Sequence, residues 1–145
     1  MKLVLAFAAG FLVAVGMSGR ASDWATATVR SYHLERGKGY EEANYGLGFE
    51  RHWSDWRRLS AGIYRNSERT SSAYIAWQAC VARYGNWLLC GTAGGVTGYS
   101  NSVAPLAGAV LAYEGKEWGM NLILFPDKKG DPTRGVFGLQ LKRRF

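Results

Sequence analysis

Residues 136–145 alternate between apolar and polar positions. Phe137, Leu139, Leu141 and Phe145 fall on one face of an extended chain, and Gly138, Gln140, Lys142 and Arg144 fall on the other. A period of two predicts a strand with two unlike faces. The pattern recurs upstream. Tyr45, Leu47, Phe49 and Trp53 oppose Gly46, Gly48, Glu50 and His52. Leu59, Ala61 and Ile63 oppose Ser60, Gly62 and Tyr64, and Trp118, Met120, Leu122 and Leu124 oppose Gly119 and Asn121. Turn signals divide the chain into eight strand candidates, over 25–34, 44–53, 57–65, 71–82, 87–97, 104–113, 118–126 and 136–145. The fold class is therefore all-β. The first, fifth and sixth strands alternate less cleanly than the rest.

The connections alternate in length. Short ones fall at 54–56, 82–86 and 114–117, and longer or more polar ones at 35–43, 66–70, 98–103 and 127–135. Short turns at one end and long loops at the other are the pattern of an up-and-down barrel in an outer membrane. A soluble β-sandwich uses the same alternation but places its aromatics in mid-strand. Here they sort by strand end. Trp24, Trp53, Trp56, Tyr84, Trp87, Tyr113, Trp118 and Phe145 mark the short-turn end, and Tyr32, Tyr45, Tyr64, Tyr74, Tyr99 and Phe125 the long-loop end. Two aromatic belts suit two membrane interfaces.

The start of the chain changes the compartment. Lys2 precedes an unbroken apolar or small stretch, Leu3 to Met17, and Gly19-Arg20-Ala21 has the small residues of a cleavage site. Residues 1–21 therefore read as a signal peptide, with Ala25-Thr26-Ala27 as a second cleavage candidate. The stretch is short for a membrane anchor. Residues 22–145 remain as one barrel domain. Removing Lys2 and Arg20 lowers the formal net charge of +7 by two. Export turns that basic balance toward phosphate-bearing lipid and away from nucleic acid. A final strand closing on Phe145 also resembles the C-terminal signature of bacterial outer-membrane barrels. An even number of strands places both termini on the periplasmic side, and a monomer is expected. Cys80 and Cys90 flank the turn near Gly85 symmetrically, so a structural disulfide is expected in an oxidising compartment.

Candidate chemistry is sparse. His33 ends the first strand and Ser67 begins the loop after the third, so both reach the long-loop rim. Their strands are one strand apart, about 10 Å between backbones. A serine hydroxyl needs a general base, and histidine is the usual one. A rim histidine and a turn serine in water would look the same in sequence. No Cys/His cluster or phosphate-binding glycine loop implies a metal or soluble cofactor.

These residues sit in runs that resemble a family. Tyr32-His33-Leu34, Tyr40-Glu41-Glu42-Ala43-Asn44-Tyr45-Gly46-Leu47-Gly48-Phe49 and Tyr64-Arg65-Asn66-Ser67 are similar to the rim segments of lipid A palmitoyltransferases from Gram-negative outer membranes. Ala93-Gly94-Gly95-Val96-Thr97 and the closing 140–145 segment match more weakly. The resemblance implies an eight-stranded barrel that moves a palmitoyl chain from a glycerophospholipid to lipid A. It assigns catalysis to His33 and Ser67, with Asn66 as the third catalytic candidate. Asn66 stands where the family has aspartate, and an amide can orient a group but cannot serve as a base. Glu35 and Glu68 are nearby replacement carboxylates. The family's helix ahead of the barrel looks curtailed.

Pro105 begins the sixth strand and Pro126 ends the seventh, equidistant from the 114–117 turn. Neither has an N–H for the ladder, so the pairing should open there and admit a lipid chain sideways. The family has a proline-flanked lateral gap at the equivalent place. The lumen positions Gly46, Gly48, Ser60, Gly62, Ala76 and Gly119 are small, which leaves room for an acyl chain or simply permits curvature. Glu50 and His52 should form a polar plug below, paired with Lys142 or Arg144. Arg36, Lys38, Arg65, Arg69, Lys128, Lys129 and Arg134 lie in or beside the outer loops, where cations suit lipopolysaccharide phosphates. Acidic residues are interspersed among them. The expected activity is acyl transfer to lipid A. An esterase at the same site, or a lipid-binding barrel without catalysis, are the alternatives.

Overall fold

The computed structural model describes residues 22–35, 37–99, 102–126 and 134–145. Residues 1–21, where the leader is read, lie outside the described residues. Eight strands form a closed antiparallel barrel in chain order. They are β1 (Ser22–His33), β2 (Gly46–Ser54), β3 (Arg57–Arg65), β4 (Ser71–Tyr84), β5 (Trp87–Thr97), β6 (Val103–Glu114), β7 (Trp118–Phe125) and β8 (Val136–Arg144). Closure comes from β1 against β8, from Trp24↔Arg144 to His33↔Val136. The second cleavage candidate, Ala25-Thr26-Ala27, lies inside β1 and pairs with both β2 and β8, so cutting there would remove part of the closing strand.

The outside is apolar. Leu47, Ile63, Ile75, Val81, Leu89, Val103 and Leu122 are exposed around the wall, Val81 by 73% and Leu47 by 71%. A water-soluble monomer rarely exposes so continuous an apolar surface, whereas a barrel in lipid requires one. The fold is that of a transmembrane β-barrel. The short-turn end carries an aromatic belt of exposed Trp53, Trp56, Tyr84, Trp87, Trp118 and Phe145. Other aromatics depart from the expected sorting. Trp24 is fully buried, and Tyr64, Tyr74, Tyr99 and Phe125 line the lumen; the opposite end keeps exposed Tyr32 and Tyr45, with Phe137 beside Tyr32.

The lower lumen is filled. Cys80 and Cys90 are opposite each other in the β4–β5 register and form the expected disulfide. They pack with Leu88, Val110 and Ala112 in a small inward core. Beside it lies the polar plug. Glu50 accepts from Lys142 Nζ at 2.9 Å and from Asn121 Nδ2 at 2.9 Å, and it contacts His52 Nε2. Lys142 also reaches Glu114 at 2.7 Å, and Arg58 pairs with Glu114. Arg58, Lys142 and Glu50 are at most 1% exposed. Arg144, the other expected partner, instead lies over the Trp24 ring at 4.6 Å.

Buried charges of this kind hold one another, and deleting one strands the rest without water. Lys142→Met should cost about 3–5 kcal/mol in urea unfolding from detergent micelles. Arg83→Met, which breaks an exposed pair with Asp55, should cost below about 1 kcal/mol. Equal costs for the two variants would remove the plug's assigned role.

Candidate functional site at the long-loop rim

Strand β1 delivers His33 to the lumen through a register shift. Trp24, Thr26 and Thr28 face inward, and simple alternation would carry Tyr32 inward and His33 outward. The β1–β8 register instead slips between Thr28 and Arg30. A bulge inserts one residue and reverses every later side chain. Ser31 now opposes Gly138, His33 opposes Val136, and Tyr32 is exposed at 49%.

The first loop then folds back over the rim. Ser31 N–H donates to the Glu42 carbonyl at 2.9 Å, and the Ser31 hydroxyl donates to Asn44 Oδ1. Asn44 is 2% exposed and its Nδ2 donates to the Arg65 carbonyl at 2.9 Å, joining the top of β1 to the end of β3. Glu41 N–H donates to the Ser67 carbonyl at 3.0 Å. These bonds close the gap that one intervening strand would leave. His33 Nε2 and Ser67 Oγ lie 3.1 Å apart. Tyr40 stacks on the imidazole with ring centroids 4.5 Å apart. The Glu42 carboxylate accepts the His33 backbone N–H at 3.3 Å. Sequence reasoning overlooked both Tyr40 and Glu42 as parts of the site, although each lies inside the run that carries the resemblance.

Asn66 does something other than assist the histidine ring. It is fully buried. Its Nδ2, with two N–H donors, shares them among Thr70 Oγ1, Ser72 Oγ and the Gly98 carbonyl at 2.8, 2.9 and 2.9 Å. Its Oδ1 accepts from the Glu68 and Thr70 backbone N–H groups at 2.9 and 3.0 Å. These bonds fix the turn that presents Ser67, so Asn66 is a positioning residue. Glu68 is exposed and its backbone serves the same turn. Glu35 lies beside His33 in a shared cavity but pairs with Lys38 at 3.0 Å and Arg134 at 3.1 Å. The Lys38 hydrogen bond holds the Glu35 carboxyl below its ordinary range despite partial desolvation, and Arg134 adds to the effect. The same bond raises Lys38. Because the Glu35 value is depressed, this contact is complete above the ordinary carboxylate range and is lost only as pH falls through the lowered value.

Two cavities meet at the His33–Ser67 contact. The first, about 110 Å³, has Ser67 in its wall and runs down past Leu106, Ile123, Phe125 and Val136. Its floor includes Tyr74 and Gln140, joined by a Gln140 Nε2 to Tyr74 Oη bond of 3.1 Å. The expected spare room beside Gly48 and Gly62 is not there. A Cβ on Gly48 would lie 2.9 Å from Tyr74 Oη, and one on Gly62 would lie 3.0 Å from the Tyr74 ring. Those glycines hold the tyrosine, and the free space lies across the lumen, against β6, β7, β8 and β1. The second cavity, about 400 Å³, is polar and has His33 in its wall.

The first cavity reaches a thin part of the wall. Strands β5 and β6 pair over eleven residues, from Thr97↔Val103 to Trp87↔Tyr113. Strands β6 and β7 pair over six, and the ladder stops at Ala109↔Leu124. Among the described residues, Val103–Gly108 therefore pair on the β5 side alone. Pro105 lies exposed in that stretch and Pro126 just follows β7. They do not face each other directly. Extending the observed register sets Pro126 beside Ala107, two residues from Pro105, because the hairpin is centred one residue later than equal spacing implies.

The Asn66 network gives a direct test. Asn66→Asp keeps both acceptor bonds but removes one of the two donors to the Gly98 carbonyl, the other being Thr70 Oγ1 at 3.0 Å, and sets a buried carboxylate against that oxygen. The loss should be about 1–3 kcal/mol, read as faster proteolysis within 66–70 of the micelle-bound barrel. Unchanged protection would show that the turn does not depend on this amide.

No protein-family model matches the chain, and no curated protein matches it. A solved structure from the de novo design of transmembrane β-barrels is similar, with a TM-score of 0.64 and 12% sequence identity over 89% of this chain and all of that one. At that identity the likeness concerns the fold alone: the chain has the architecture of a membrane-spanning barrel.

Proposed function

We propose that the protein is an outer-membrane acyltransferase that moves a fatty acyl chain from a glycerophospholipid to lipid A. The observation that carries this reading is the 3.1 Å His33–Ser67 contact at the mouth of an apolar cavity. A serine–imidazole pair in bulk water has little to act upon. Here the same serine lines a space bordered by Leu106, Ile123 and Phe125, beside a wall whose ladder is incomplete. The resemblance of the rim segments to lipid A palmitoyltransferases points to the same chemistry.

In this reading a donor chain slips between β6 and β7 and its ester carbonyl comes to Ser67. The imidazole takes up the hydroxyl proton as Ser67 Oγ bonds to the carbonyl carbon. The donor's ester C–O bond breaks, and its oxygen leaves with the proton from His33 as a lysophospholipid. An acceptor hydroxyl then passes its proton to His33 and attacks the acyl-serine. Ser67 regains the proton as that ester breaks. One ester is lost and one is formed, with no change of oxidation state. His33 must present an unprotonated Nε2, so the ring proton belongs on Nδ1 at the start.

The test is mass spectrometry of lipid A and phospholipids from Gram-negative cells producing the chain. An added acyl chain on lipid A with matching lysophospholipid is expected, and Ser67→Ala or His33→Ala should lower it at least about a hundredfold. Lysophospholipid without acylated lipid A would make the protein an esterase. Unchanged lipids with the barrel in place would make it a non-catalytic barrel.

The cavity has its own test. A Cβ on Gly138 meets nothing nearer than Ile123 Cβ at 3.9 Å, so a larger side chain there would project into free space. Gly138→Leu should reduce transfer of long chains more than short ones. An unaltered chain-length profile would place the acyl chain elsewhere.

A further inference from the structure

Acyl transfer places charge on an oxygen that His33 does not serve. As Ser67 Oγ bonds to the donor carbonyl carbon, the C=O π pair moves onto the carbonyl oxygen, and a hydrogen-bond donor must meet it there. The rim turns bring two phenols to this place. Tyr64 and Tyr99 line the apolar cavity together with Ser67, and their hydroxyls lie 3.0 Å apart. Gly98 delivers Tyr99. Its φ is +87°, and a Cβ there would lie 2.7 Å from Ser72 Oγ, so the turn before Tyr99 requires glycine. Asn66 bonds the Gly98 carbonyl at 2.9 Å, so Ser67 and Tyr99 each directly follow one end of a single hydrogen bond.

The direction of the hydroxyls is set from Asn66. Its Oδ1 accepts two backbone N–H groups, which fixes Nδ2 on the side of Ser72. An amide nitrogen only donates, so Ser72 Oγ accepts from it at 2.9 Å and keeps its own O–H for Tyr64, to which it hydrogen-bonds. A hydroxyl that accepts one hydrogen bond donates the next more strongly. Tyr64 therefore gives its proton to Tyr99, and Tyr99 is left with an O–H to give. An ionised aspartate at position 66 would draw the Ser72 proton to itself and start the chain in the opposite sense.

We infer that the Tyr99 hydroxyl is the oxyanion donor of this site, a catalytic residue held in its donating direction by Asn66, Ser72 and Tyr64. The inference rests on the acyl-transfer reading and adds a group to it. Tyr99 keeps its proton throughout. Its hydrogen bond strengthens as charge collects on the carbonyl oxygen, and the electron pair returns to re-form C=O when the donor's ester C–O bond breaks. The same hydrogen bond serves again when the acceptor hydroxyl attacks the acyl-serine. Tyr64 and Ser72 act through Tyr99 and are positioning residues.

The experiment uses the full barrel refolded in detergent micelles, with folding checked by heat-dependent gel mobility. A chromogenic fatty acyl ester gives kcat and KM, with Ser67→Ala as the background. An alkyl trifluoromethyl ketone, which adds to a reactive serine as a tetrahedral oxyanion, gives the affinity for that state without turnover. Tyr99→Phe keeps the ring and removes the donor. Its kcat should fall about 10²–10³-fold at unchanged KM. The ketone's Kd should rise by the same factor, while a non-reactive alkyl ether binds as before. Ser72→Ala leaves Asn66 its other two acceptors, so the turn stands. It should lower kcat by up to about tenfold at unchanged KM. Undiminished kcat in Tyr99→Phe would overturn the assignment. So would a loss shared by KM and the ether's Kd, by showing that Tyr99 only shapes the cavity. Undiminished kcat in Ser72→Ala would overturn the relay. The acyl-transfer reading fails differently. A folded wild type that neither cleaves the ester nor forms a ketone adduct at Ser67 would sink that reading, and the oxyanion donor with it.

Discussion

A chain crossing hydrocarbon must satisfy its own backbone, because an unpaired N–H or C=O there costs several kcal/mol. Closure of β1 on β8 is therefore the condition on which the rest of this barrel depends. Once the ring is closed, alternation fixes which side chains meet lipid and which meet the lumen. It also makes any shortfall in the ladder conspicuous. The shortfall lies above Ala109↔Leu124, where β6 continues beside β5 without a described partner in β7. Pro105 lies in that stretch, and a residue without an N–H has one fewer polar group to leave unpaired. The wall is thinnest where the apolar cavity comes up against it.

Closure also divides the lumen by height. Small positions on β2 and β3 admit the Tyr74 ring, and Tyr74 with Gln140 forms a floor. Below it, Glu50, Glu114, Arg58 and Lys142 neutralise one another with little exposure to water. The Glu50, His52 and Glu114 ligand atoms lie close enough to suggest a metal site. The two basic side chains already occupy the electrostatic role that a cation would fill. Above the floor the packing is incomplete, and the His33–Ser67 contact lies at that upper edge. A rigid charged base thus lies beneath an open upper cavity.

Much of this was legible in the sequence. Alternation in β2, β3, β7 and β8 identified the inward residues correctly, including Glu50 and Lys142, and the symmetry of Cys80 and Cys90 about Gly85 gave their pairing. The less clean strands concealed the decisive detail. In β1 a single bulge after Thr28 reverses the facing of Ser31 and His33, and no local propensity at that point announces it. The aromatic belts were misjudged for a related reason. Position along a strand gives a ring its depth in the membrane, but only parity of register says whether Trp24, Tyr74 or Phe125 faces lipid or lumen. Arg58 and Glu114 escaped notice because each sits next to a turn, where charged residues ordinarily meet water. The return of the first loop onto Ser67 depends on long-range bonds through Asn44 and Glu41, which spacing alone does not encode.

Asn66 shows why a neutral amide fits the turn that carries Ser67. An aspartate accepts hydrogen bonds but, when ionised, donates none. The turn carrying Ser67 needs both abilities at one buried position, since its amide accepts from two backbone N–H groups and donates to the Gly98 carbonyl across the loop. A neutral amide is the side chain that fits. The consequence reaches the chemistry. With its hydrogen bonds spent on the turn, position 66 bears on the His33–Ser67 contact through geometry. Tyr40 and the Glu41–Ser67 backbone bond hold His33 at hydrogen-bond distance from Ser67, from the other loop. Two loops that are each locally satisfied thus position one contact between them, and that contact can be tight without a buried carboxylate at position 66.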